Sequence, residues 1–107
     1  MSNTKIFTVF DSKAEAYLEP FTQPAIGSAV RMFESAANDP EHSFGKYPGD
    51  YGLFCIGEFD PKTGRVIAHQ NPENLGLAQD YKRTDSPLTR INPVAEYNKT
   101  RDAKEAI

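Results

Sequence analysis

The stretch YGLFCIGEFDPKTGRVIAHQ, residues 51–70, decides the fold. Two runs rich in β-branched and aromatic residues, 51–59 and 65–69, flank Asp60-Pro61-Lys62-Thr63-Gly64. Proline early and glycine last fit a short hairpin loop, with Gly64 taking a positive φ. The expected register pairs Asp60 with Arg65, Phe59 with Val66, Gly57 with Ala68 and Ile56 with His69. Strand alternation then divides the hairpin into two faces. One carries Tyr51, Leu53, Cys55, Gly57, Phe59, Val66 and Ala68. The other carries Phe54, Ile56, Glu58, Arg65, Ile67 and His69. Small residues at the middle of the first face leave room for a helix. The second mixes apolar, acidic and cationic groups and is the expected working surface.

Upstream, TKIFTVF at 4–10 reads as a first strand, closed by Asp11 and Ser12. A short strand is expected near 16–22, because the residue before Pro20 disfavours helix. Residues 24–37, PAIGSAVRMFESAA, form the best helix in the chain, with Pro24 suited to its first turn. Ile26, Ala29, Val30, Phe33 and Ala37 recur at helical spacing as one apolar stripe. Gly27 weakens the helix by roughly 1 kcal/mol relative to Ala; close approach to the sheet would explain it, an exposed glycine being the alternative. Asn38-Asp39-Pro40 ends the helix. The loop PEHSFGKYPGD, 40–50, carries Phe44 and Tyr47, aromatics expected to pack down.

After Gln70 the alternation is lost. Residues 71–107 read as an extended arm, with at most a helical turn near 75–81 and a helix-compatible end at 94–107. The fold expected is therefore α+β: an antiparallel sheet of about four strands with one helix packed on one face, spanning 1–70, and an irregular C-terminal arm, 71–107.

Composition narrows the function classes. The 107 residues suffice for one domain, and 7 Phe with 5 Tyr supply large side chains to bury. No apolar run reaches membrane-span length, and the N-terminus lacks the pattern of a signal peptide. Cys55 is the one cysteine, which excludes an internal disulfide and reads as a buried thiol in a reducing cytosol. A net charge of −3 argues against bulk coating of nucleic acid. The charge is uneven. Residues 1–79 hold 6 basic and 10 acidic residues, a balance of −4, whereas 80–107 hold 6 and 5, a balance of +1. A basic footprint is expected to be local and C-terminal.

Catalytic patterns do not emerge. His42 and His69 with scattered carboxylates lack metal-ligand spacing, and the glycines form no phosphate loop. Asp11, Glu15 and Glu19 read as a solvated face, and Cys55 as an inert strand thiol. No enzyme, cofactor or metal is expected. Aromatics interleaved with cations are more suggestive, since single-stranded bases stack on Phe and Tyr while Lys and Arg meet phosphates. Phe54 and Tyr47 are the candidate stacking residues. Lys46, Arg65, Lys82, Arg83 and Arg90 are the candidate phosphate contacts, with His69 adding charge below neutral pH. Alternatively, Phe54, Ile56 and Ile67 could pack across a two-fold axis of a homodimer, or the arm could fold back over the sheet.

Three segments carry a resemblance: DSKAEAYLEPF, the NDP after the helix, and YPGDYGLFCIGEFDPKTG. With the flanking residues of 5–70 the chain resembles the small nonstructural protein of gokushoviruses, single-stranded DNA phages of the Microviridae. The resemblance implies a non-virion, DNA-binding-type protein in the cytoplasm of an infected bacterium. It implies a role in viral DNA replication, in the switch to making and packaging single strands, and no catalytic residues. Two readings follow. One is an accessory protein, dimeric by its second face, that binds single-stranded DNA. The other is a dimeric module that holds a viral replication or scaffold protein and touches no DNA.

Overall fold

The structure is a computed structural model that describes residues 2–83. The chain runs β1 (Thr4–Asp11), β2 (Ala16–Tyr17), β3 (Phe21–Gln23), α1 (Ile26–Ala37), α2 (Ser43–Lys46), β4 (Tyr51–Asp60) and β5 (Arg65–Leu77), then a 3-10 turn, Ala78–Tyr81. The antiparallel sheet has the order β2-β1-β4-β5, and β3 shares the β2 edge of β1. The α+β class, the sheet and the single main helix agree with the sequence reading. The one strand expected near 16–22 is instead two short strands, split where Pro20 interrupts the ladder. The helix-compatible stretch at 94–107 lies outside the described residues.

Local chemistry explains the turns. Asp11 Oδ1 accepts from the backbone N–H of Lys13 and Ala14 at 3.0 and 3.2 Å, which turns the chain after β1. Asp60 Oδ1 does the same for Lys62 N at 2.9 Å. Gly64 has φ of 76° and donates to Asp60 O at 2.8 Å, as the hairpin reading expects.

The core lies between α1 and one sheet face. Phe7, Val9, Leu53 and Cys55 face Ala29, Phe33 and Ala37, with Ala78 closing the end. Burying a side chain such as Phe33 contributes about 1.5–3 kcal/mol. The helical stripe is the predicted one, with Ile26 and Val30 packed at its margin. Gly27 differs: it is exposed, and a Cβ added there would meet nothing within 4 Å, so no close approach to the sheet requires it.

A β-bulge overturns the predicted division of faces. Phe7 pairs with Cys55 but Ile6 pairs with Gly57, so Ile56 is an extra residue in β4. Beyond it the alternation is inverted. Lys5, two residues from Phe7, pairs with Glu58, so Glu58 shares the helix-side face. Phe59 moves to the face of Thr4, Ile6 and Thr8, where Phe54 and Ile56 also lie. The hairpin pairs Asp60–Arg65, Phe59–Val66 and Gly57–Ala68 stand as predicted. Ile56–His69 does not form, because residues 69–72 swing out opposite the bulge. As a result Ile67 and His69 lie on the helix-side face, opposite Phe54 and Ile56. The proposed interface trio Phe54, Ile56 and Ile67 is not on one surface. Nor does the helix reach Val66, which is 65% exposed.

The second face is covered in part by its own chain. Tyr17 packs on Phe10 with centroids 4.8 Å apart and edge-on to Phe54 at 5.9 Å. Leu18 and Pro20 from one side and Pro72 from the other rim a hollow of about 310 Å³ over Thr8 and Ile56. Buried Thr8 is satisfied by donating its hydroxyl to Leu18 O at 2.6 Å.

Residues 71–81 are not a free arm. β5 continues to Leu77, pairing Glu73 with Cys55, Asn74 with Phe54, Gly76 with Leu53 and Leu77 with Gly52. The predicted helical turn near 75–81 is present as Ala78–Tyr81, which seats Ala78 in the core.

Candidate nucleic-acid interface

The loop after α1 is folded down by one aromatic and leaves the other out. Phe44 packs at a tilt against Phe33, Tyr51 and His42, with ring centroids 5.4, 4.6 and 4.4 Å away. His42 Nδ1 caps α2 by accepting from Phe44 N at 3.1 Å. Gly45 backs onto the chain so closely that a Cβ there would collide with Asp39 O. With Phe44 and Gly45 facing inward, Lys46 and Tyr47 face solvent, and Tyr47 is 59% exposed. The packing reading of the loop thus holds for Phe44 and not for Tyr47.

Asn38, the last-turn cap of α1, fastens the chain after β5 to this loop. Its Nδ2 donates to Glu34 O at 2.8 Å and to Tyr81 O at 3.0 Å. Its Oδ1 accepts from Arg83 N at 2.8 Å. Tyr81 packs edge-on to Phe33 and donates its hydroxyl to Leu75 O at 2.5 Å. Gln79 N donates to Pro48 O at 3.0 Å. Lys82 Nζ then reaches Gly45 O at 3.5 Å, beside Lys46. Arg83 lies 3.8 Å from Glu34 in an exposed pair that adds little stability. Cations at a helix C-terminus are favoured by its partial negative charge. Neither Lys46 nor Lys82 is ion-paired among the described residues.

The structure therefore brings Lys46, Tyr47, Lys82 and Arg83 together at one corner. It does not bring Phe54, Arg65 or His69 to them. Phe54 is half-buried on the far face of the sheet, among Thr8, Tyr17 and Asn74. Arg65 is exposed at the hairpin tip, opposite Asp60. His69 Nε2 lies 4.0 Å from Glu58, which also accepts from Asn3 at 3.1 Å and Lys5 at 3.5 Å. The Asn3 hydrogen bond, then the Lys5 charge, holds the Glu58 carboxyl below its ordinary range. Arg90 lies outside the described residues. Asn38 was missed by sequence reasoning; as a helix-ending Asn before Asp39-Pro40 it signalled a cap, but its distant partners had no local signal.

Burial pushes the Cys55 thiol up from its ordinary range, and its Sγ contacts Gly57 O at 3.9 Å. Among the described residues no group of three His, Cys, Asp or Glu side chains is placed to hold a metal ion. No helix among them is long and apolar enough to cross a membrane.

These features define a small α+β protein: a bulged antiparallel sheet, one covering helix, and a corner at the helix's C-terminal end that gathers Lys46, Tyr47, Lys82 and Arg83. The chain belongs to the family described as Phage ORF5 protein, whose family model matches residues 4–81. The match runs through β5 and the 3-10 turn, past the expected boundary at 70. Comparison with curated proteins and with solved structures gives no match.

Proposed function

We propose that this phage protein is a nonstructural accessory factor that binds single-stranded DNA in the infected bacterial cell during genome replication and packaging. The observation that carries the proposal is the corner where Lys82 reaches the loop that carries Lys46 and exposed Tyr47, with Arg83 next along the chain. An exposed ring beside cations, of which Lys46 and Lys82 are without an ion pair among the described residues, is the minimal unit of single-strand recognition. The resemblance to gokushovirus nonstructural proteins supports the same reading. Lys82 and Arg83 also open the segment whose sequence turns basic, which includes Arg90. Contacts this few suit a chain of net charge −3 better than dense coating does.

A second reading has its own support. The negative charge favours a module that binds a replication or scaffold protein and leaves DNA alone. Titration of the full chain with single- and double-stranded oligonucleotides separates the two. Three phosphate contacts predict that raising salt from about 50 to about 200 mM weakens single-strand binding about 20-fold. Tyr47→Ala should weaken it about tenfold with no loss of fold by circular dichroism. Absence of any single-strand binding at low salt would sink the DNA reading and leave the protein-binding one.

A further inference from the structure

The outer edge of β5 raises a problem that the proposed DNA-binding corner does not touch. β5 ends the sheet order, and among the described residues no strand pairs with its outer side. Its first stretch, Arg65-Val66-Ile67-Ala68-His69-Gln70, contains neither Pro nor Lys, the usual guards of a sheet edge. Arg65 at its start and the irregularity of residues 69–72 with Pro72 bracket this stretch, leaving Val66, Ile67 and Ala68 between them. Val66 and Ile67 are 65% and 49% exposed, the most exposed Val, Leu or Ile side chains among the described residues.

Their adjacency decides the kind of cover they need. Neighbours on a strand point to opposite faces. Val66 lies with Phe59, and Ile67 lies with Glu58 on the helix side. A partner lying on either face would shelter one and leave the other wet. A strand added to the edge borders both, and satisfies the outward N–H and C=O groups as well.

We propose that the strand added is β5 of a second copy, antiparallel about a two-fold axis near Ile67. The sequence is close to symmetrical about that residue. Val66 then meets Ala68 of the other copy, Ile67 meets Ile67, and Arg65 meets His69. Arg65 of each copy meets the other's His69 on the helix-side face, where the Glu58 carboxylate lies 4.0 Å from the imidazole. The result is a continuous sheet across two chains, with an isologous contact. This interface differs from one built on Phe54 and Ile56, which lie on a single face at the centre of the sheet.

Light scattering on the full chain should report twice the 11.9 kDa chain mass. Val66→Lys with Ile67→Lys places like charges across the axis and should raise the dimer dissociation constant about tenfold or more. Both side chains are exposed, so circular dichroism should be unchanged. Ile67→Cys should give a disulfide-linked dimer under copper–phenanthroline, since native Cys55 is only 1% exposed. Glu41→Cys, away from β5, should not. A monomeric wild-type chain, or a dimer indifferent to the double Lys substitution, would overturn the proposal. Either result leaves the DNA titration unaffected.

Discussion

Glu58 shows how much one residue's position depends on a neighbour's geometry. Alternation through β4 places it beside Phe54, but the extra residue Ile56 turns it toward Lys5. There it accepts from Asn3 and Lys5 and lies near His69, and its carboxyl titrates below the ordinary range. A group whose folded pKa is depressed stabilises the fold above its unfolded pKa and loses that contribution as pH falls through the folded value. Chemical denaturation should therefore show stability declining as pH drops below about 4.3. Glu58→Gln should flatten that decline while changing little at higher acidity. An unchanged acid profile in the variant would mean that the Asn3 and Lys5 contacts do not persist in solution. The Asn3 and Lys5 partnership was not legible in the sequence, because it joins residues 55 and 53 positions apart across a register that the bulge shifts.

The elements divide by how local their causes are. The hairpin turn was legible because Asp60, Pro61 and Gly64 each meet a local requirement of the backbone. So was α1, whose apolar stripe has one period from Ile26 to Ala37. The bulge gave a single sign, a glycine inside a strand, which often marks a bulge or a close backbone approach. Gly57 has both: a Cβ there would lie 2.6 Å from Ile67 O across the ladder. Gly57→Ala should thus force β4 and β5 apart at the bulge and cost about 1–3 kcal/mol, read as a lowered denaturation midpoint. A neutral result would show that the strands relax around the methyl group. The second half of β5 was illegible for a different reason. Asn74 and Gly76 have poor strand propensity, as do Asn71 and Pro72 before them, and Glu73, Asn74, Gly76 and Leu77 are paired because β4 offers its edge.

Across the molecule, protection should follow the sheet order. β1 and β4 are flanked on both sides and carry Phe7, Val9, Leu53 and Cys55, so their amides should exchange slowest with deuterium. The amides of residues 66–70 that point outward from β4 should exchange quickly in dilute protein and slow at concentrations where two copies pair. Fast exchange there at every concentration would count against the shared sheet. The same arrangement separates the surfaces. The corner of Lys46, Tyr47, Lys82 and Arg83 sits at the C-terminal end of α1, and the open aliphatic edge lies along β5. The proposed DNA contact and the proposed contact between copies therefore do not compete for one surface.

The amino-acid order alone determined the α+β class, the helical stripe and the hairpin turn, since each follows from periodicity or turn chemistry within a few residues. It also set the uneven charge that points to the C-terminal side. Only the packed fold decided which face each β4 and β5 side chain occupies, because a single extra residue inverts alternation and its position depends on the partner strands. Only packing, too, gathered Lys46, Tyr47, Lys82 and Arg83, since Asn38 joins segments more than forty positions apart through hydrogen bonds that no local pattern encodes.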